Sequence, residues 1–96
     1  MAYDVIWHEG SVEDLKKLDH ETAKKIIDKV KNYLIQDPIK LGTHLKGSLK
    51  GLRRYRIGEY RVIYAIDHTE KKIIILNVNH RKRIYTKQVA EEPDRK

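Results

Sequence analysis

The chain of 96 residues contains no cysteine. Disulfides, thiolate nucleophiles and Cys-ligated zinc or iron–sulfur centres are therefore excluded. Proline is scarce as well, with two residues, Pro38 and one near the C-terminus. No low-complexity linker or internal repeat divides the sequence. Apolar runs are short, Ile73-Ile74-Ile75-Leu76 among them, whereas a membrane span needs roughly 20 residues. The N-terminus lacks a basic segment followed by an apolar stretch, so no signal peptide and no membrane-spanning segment are expected, and a cytoplasmic location is. No glycine-rich loop ends in Lys-Ser or Lys-Thr, which excludes a nucleotide-binding P-loop. The five histidines, His8, His20, His44, His68 and His80, are scattered without the helical spacing of metal ligands. Neither a metal nor another cofactor is expected.

What the sequence does have is positive charge. Lys and Arg number 21 against 14 Asp and Glu, a formal net charge of +7. Hydrophobic residues make up 40% of the chain, enough for one small core and too much for a disordered tail. The expected organisation is a single domain over residues 1–90 followed by a polar tail over 91–96. A charge of +7 on so small a body favours an anionic partner: nucleic acid, an acidic protein or a membrane surface.

Ala2 to Trp7 mixes β-branched and aromatic residues and reads as a strand, with Tyr3 and Trp7 as core anchors. Ser11, with Asp14 three residues on, suits the start of a helix whose apolar side is Val12, Leu15 and Leu18. Asp19 suits a second cap, followed by the stripe Ala23, Ile26, Ile27, Val30 and Leu34. Asp37-Pro38 should stop that helix, because proline disfavours helical backbone in the preceding residue. An αα-hairpin is expected between about residues 10 and 36. Leu52–Ile57 and Tyr60–Ile66 then read as strands around Gly58-Glu59, a tight turn of type II′. A polar turn over 67–72 leads to Ile73–Val78, apolar on both faces and so central in a sheet. The expected fold is α+β: an N-terminal strand, an αα-hairpin and a three-stranded antiparallel meander, the helices packed on one face of a small twisted sheet.

A two-residue turn places Arg56 directly opposite Arg61. Alternation then puts Arg54, Arg56, Arg61, Ile63 and Ala65 on one face, and Tyr55, Ile57, Tyr60, Val62 and Tyr64 on the other. Like charges opposite each other destabilise a hairpin. One reason to keep them is an anionic ligand, because a guanidinium grips phosphate oxygens as a bidentate fork. The plainer reasons are edge protection by charge, or arginines lying over apolar surface. A second basic cluster, His80-Arg81-Lys82-Arg83 with Tyr85, offers phosphate contacts, stacking and proton transfer, or is simply a solvated charge run. The register that would bring Arg81 to the Arg61 face stays open. The segment His44–Gly51 adds Lys46 and Lys50 and reads as a surface connection with two hinge-like glycines.

The stretch Leu45-Lys46-Gly47, then Gly51-Leu52-Arg53-Arg54-Tyr55-Arg56-Ile57-Gly58-Glu59-Tyr60-Arg61-Val62-Ile63-Tyr64, resembles the hallmark of the RelE/ParE toxin superfamily. The ending His80-Arg81-Lys82-Arg83-Ile84-Tyr85 is similar to the end of that family's last strand, and the likeness covers nearly the whole chain. The resemblance implies a toxin of a type II toxin–antitoxin pair. RelE-like members are endoribonucleases that cut mRNA in the A site of the 30S ribosomal subunit without a metal, and ParE-like members poison DNA gyrase. It further implies that Arg61 stabilises the scissile phosphate, that Arg81 is a general acid, and that Tyr85 stacks on the cleaved nucleotide. Arg54 falls in the catalytic set by the same likeness. Arg53, Arg54, Arg56, Lys46, Lys50, Lys82 and Arg83 are then the RNA-contacting cations. At Leu52 and Arg54 the sequence departs from the two lysines that help deprotonate the 2′-hydroxyl in some relatives. Leucine cannot do so, and an arginine pKa above about 12 makes a poor base. His80, Glu59, His44 and Lys46 are the remaining candidates for that base. The implied partners are a RelB-like antitoxin, the ribosome and mRNA, with a free monomer and a hetero-oligomer when neutralised. A catalytically weak or inert binding protein, or a gyrase inhibitor, is the alternative.

Overall fold

A computed structural model of the chain describes residues 2–80. The assumed domain limit at residue 90, the tail over 91–96, and Arg81, Lys82, Arg83 and Tyr85 lie outside the described residues. Five strands form one sheet, β1 (Asp4–Trp7), β2 (Thr43–His44), β3 (Arg53–Ile57), β4 (Tyr60–Asp67) and β5 (Lys72–His80), in the order β1-β5-β4-β3-β2. Three helices, α1 (Glu9–Lys16), α2 (His20–Asn32) and α3 (Pro38–Leu41), lie between β1 and β2 in the chain. The apolar β5 lies inside the sheet, antiparallel to β4 and parallel to β1. The α+β architecture read from the sequence is the one observed.

The α2 stripe forms as its spacing predicts. Asp19 caps the helix, accepting from the Thr22 N–H at 3.1 Å and the Thr22 hydroxyl at 2.6 Å. These bonds hold its carboxyl below the usual carboxylate range. Ile26, Val30 and Leu34 are buried against Ile57, Val62, Tyr64, Ile73, Ile75 and Val78, with Leu15, Leu18, Tyr3 and Trp7 packed around them. At the centre, the fully buried Tyr64 donates its hydroxyl proton to the Pro38 carbonyl at 2.6 Å. Burial raises its pKa to about 12. A Cβ on Gly42 would collide with the Tyr64 hydroxyl, so glycine there is required by close approach and not by its backbone angles.

Several local expectations are corrected. Ser11 does not cap α1; His8 does, its Nδ1 accepting from the Gly10 N–H at 3.0 Å, while Ser11 is buried and donates to the His8 carbonyl. Asp14 is not a capping-box partner either. Its carboxylate accepts from the Val78 N–H at 2.9 Å, across 64 positions of sequence. The reason is an edge: β1 ends where Trp7 meets Ile75, leaving the rest of β5 without that neighbour. Helix α1 covers the gap, and Asp14 satisfies a donor that would otherwise lack a partner. Asp37-Pro38 does not mark the end of α2, which stops at Asn32 and passes into a 3-10 turn, Leu34–Gln36. Instead it opens α3. Asp37 holds non-helical backbone, its side chain accepts from the Lys40 N–H, and Pro38 takes the first helical position. The short strand β2 takes His44, the first residue of the segment that reads as a surface connection.

Candidate nucleic-acid interface

The β3–β4 hairpin sets the site. Of its two turn residues only Gly58 takes a positive φ, +61°, as a type II′ turn requires. That turn fixes the register: Ile57 pairs with Tyr60, Arg56 with Arg61 and Arg54 with Ile63. The two arginines therefore face each other on neighbouring strands, as the spacing predicts. Tyr55, Ile57, Tyr60, Val62 and Tyr64 all turn to the helix side, into or against the core. Burial raises the pKa of the Tyr55 phenol, with the nearby Tyr33 adding to the shift.

Register with β5 is now defined. Arg61 pairs with Asn79 and Ile63 with Asn77, and an irregularity between Ile63 and Tyr64 brings Tyr64 opposite Ile75. Directly paired residues point the same way, so two rungs cross three strands on the arginine side: Arg56–Arg61–Asn79 and Arg54–Ile63–Asn77. No described helix packs on this side. Arg56 is exposed, its Nε donating to the Gly58 carbonyl at 3.1 Å. Arg61 is half-buried, with Nε and Nη1 shielded from solvent. Arg54, Glu59, Arg61 and His80 are each engaged by a neighbouring group. Ile63 is 4% exposed on this face, so part of the row does lie around apolar surface, as the plainer reading has it.

The structure does not gather all the cations read from the sequence. Arg53 leaves β3 on the helix side. Its Nη1 donates to the Ile39 carbonyl at 2.9 Å, and its Nη2 lies 3.0 Å from His44 Nε2. It ties α3 to the sheet edge, across the sheet from Arg54. Its parity with Tyr55 and Ile57 was the signal for this placement. His44, paired with Arg53 on β2, stands three rungs from Arg61 and on the other side. His80 also turns to the helix side, edge-on to Tyr60 with ring centroids 5.4 Å apart. Lys46 and Lys50 are exposed in the β2–β3 connection, at the end of β3 remote from the Gly58 turn. Of the candidate bases, Glu59 has the same strand parity as Arg61 and lies in the turn, separated from the arginine pair by the Ile57–Tyr60 rung. Asn77 and Asn79 share the arginine side but were not among the residues singled out, because the β4–β5 register was open. Among the described residues no group of three or more His, Cys, Asp or Glu could hold a metal ion. Among the same residues, no helix is long and apolar enough to cross a membrane.

A profile of the ParE toxin of type II toxin–antitoxin systems matches residues 5–85, which takes in the sheet, all three helices and the basic ending. The chain belongs to the RelE/ParE family of toxins. Its relatives include Toxin RelE of Mycobacterium tuberculosis, 32% identical over 86% of this chain and 86% of that protein. Toxin RelG of the same organism is 32% identical over 88% of this chain and 98% of its own length. In three dimensions the chain is similar to one in the RelBE2 toxin–antitoxin complex of M. tuberculosis. That match has a TM-score of 0.80 at 29% identity, covering 83% of this chain and 99% of the other. The RelE/ParE fold thus accounts for the parallel β1–β5 pairing and the helix-covered face, and leaves the arginine side to be explained.

Proposed function

We propose that this toxin is a ribosome-dependent endoribonuclease that cuts mRNA in the ribosomal A site. One observation carries the reading: Arg56 and Arg61 are kept directly opposite each other, with Arg54 beside them, on the sheet face that no described helix covers. Their mutual repulsion is a cost to the hairpin that phosphate binding would offset.

In the reaction, the 2′-hydroxyl loses its proton to a base and the 2′-oxygen bonds to the adjacent phosphorus. The bond from phosphorus to the 5′-oxygen breaks, and that oxygen takes a proton. The products are a 2′,3′-cyclic phosphate and a 5′-hydroxyl. Negative charge builds on the non-bridging oxygens, where Arg61 and Arg56 would stabilise it without a metal. Losing one preorganised donor of this kind costs roughly 3–4 kcal/mol, or 10²–10³ in rate. Glu59, of the same strand parity as Arg61, is the favoured base in place of the absent lysines. Arg81 as the acid and Tyr85 as the stacking ring complete the scheme from the basic ending. The ribosome would supply part of the alignment, which places the activity in the cytoplasm. A RelB-like antitoxin is the expected neutralising partner, as in the RelBE2 complex that this chain resembles.

The test is primer extension on an mRNA incubated with the purified toxin, with and without translating ribosomes. Cuts in A-site codons only when ribosomes are present support the reading. Cuts in naked RNA retain the nuclease and remove the ribosome. The matched profile bears the ParE name, which favours gyrase inhibition as the second reading. That reading predicts intact RNA and double-strand breaks when gyrase and DNA are supplied. Loss of both activities would leave an inert binding protein, in keeping with Leu52 and Arg54 where some relatives carry lysines.

A further inference from the structure

We propose that Asn79 reads a base of the bound RNA, preferring adenine, and so sets sequence preference at the arginine site. This rests on the reading of that site as an RNA-binding one.

Polar groups are graded across the sheet. On the arginine-side rung nearest the turn, Arg56, Arg61 and Asn79 follow one another on β3, β4 and β5. Adjacent strands are about 4.8 Å apart, so the amide stands about 5 Å from the Arg61 position and about 10 Å from that of Arg56. Both cations are on the β3–β4 side of the rung and the neutral group is on β5. A phosphodiester drawn to the guanidiniums would run over β3 and β4, and a base attached to it would reach β5.

Asparagine is also out of place there. It is depleted in strands, and between the polar ends Lys72 and His80 the strand β5 is apolar except for Asn77 and Asn79. Asn79 is half-buried, and no described group makes a hydrogen bond to its side chain. An amide presents one donor and one acceptor side by side. That pair matches the N6 amino group and N7 of adenine bidentately, and single-stranded RNA exposes such edges. Asn77 is the natural control. It lies one rung along, but its Nδ2 is only 3.7 Å from where a Cβ on Gly10 would stand, so it leans off the sheet toward α1.

The test is binding of the whole toxin to short 2′-O-methyl oligonucleotides, which lack the nucleophile and are not cut. Wild type should bind oligoadenylate about 10-fold more tightly than oligouridylate. Asn79→Ala should erase that ratio while leaving oligouridylate affinity unchanged, and Asn77→Ala should leave the ratio as it is. A wild type without adenine preference, or a ratio that survives Asn79→Ala, overturns the inference. Primer extension on ribosomes separates this from the nuclease reading. Loss of the binding ratio in a toxin that cuts nothing sinks the nuclease and keeps the base contact. Cutting by a wild type whose binding ratio ignores Asn79→Ala keeps the nuclease and sinks the contact.

Discussion

The two faces of the β3–β4 hairpin share one backbone and obey different rules. On the helix side, Ile57, Val62 and Tyr64 are buried, and Tyr64 anchors α3 through the Pro38 carbonyl. Gly42 is small there because Tyr64 needs the space. On the other side the same strands carry Arg54, Arg56 and Arg61, two of them paired against each other. The helix side can be derived from burial and hydrogen bonding alone. The arginine side cannot, since its pairing works against the hairpin. The stability of the molecule therefore comes mostly from one face, and this leaves the other free to hold charge in an arrangement that a ligand, not the fold, requires.

Variants can break that division. The largest expected effect belongs to Arg61→Ala, which should reduce RNA cutting by 10²–10³ with the thermal midpoint within a few degrees of wild type. Next is Gly42→Ala, which should destabilise by about 3 kcal/mol through displacement of Tyr64, read by denaturant unfolding. At a temperature where it stays folded, its cutting should be near normal. The pH dependence comes third. The Tyr64 pKa is raised from 10.0 to about 12, so its contribution is fully present below pH 10 and is lost as pH rises from there to about 12. The loss is of order 2 kcal/mol, and Tyr64→Phe should flatten that part of the stability profile. Smallest is Arg56→Thr. It removes the like-charge pair and should raise stability by up to about 0.5 kcal/mol, while lowering by about one the salt dependence of RNA binding.

Local signals made much of this legible. The Gly58-Glu59 turn fixed the hairpin register, and with it which residues share the arginine face. The α2 stripe and the Asp19 cap needed only spacing and residue type. What stayed hidden depends on contacts far apart in sequence. Asp14 looked like part of a capping box because nothing nearby reveals that β5 runs past the end of β1 and needs an acceptor at Val78. The register of β5 on β4 was open because a polar turn over 67–72 admits several pairings, so Asn79 could not be placed beside Arg61. Arg53 sits among basic neighbours in the sequence, but strand parity sets it with Tyr55, where it bonds the Ile39 carbonyl. The hairpin arginines were placed by alternation; the family likeness supplied their proposed chemistry.

On this reading the arginine face serves the reaction and not the fold. The most direct test is a paired measurement on Arg61→Ala: its thermal midpoint, and its cutting of mRNA on translating ribosomes by primer extension beside wild type. The expected result is a wild-type melt and no detectable A-site cuts where wild type cuts. Undiminished cutting by the variant, or a collapse of its melting temperature, would contradict it.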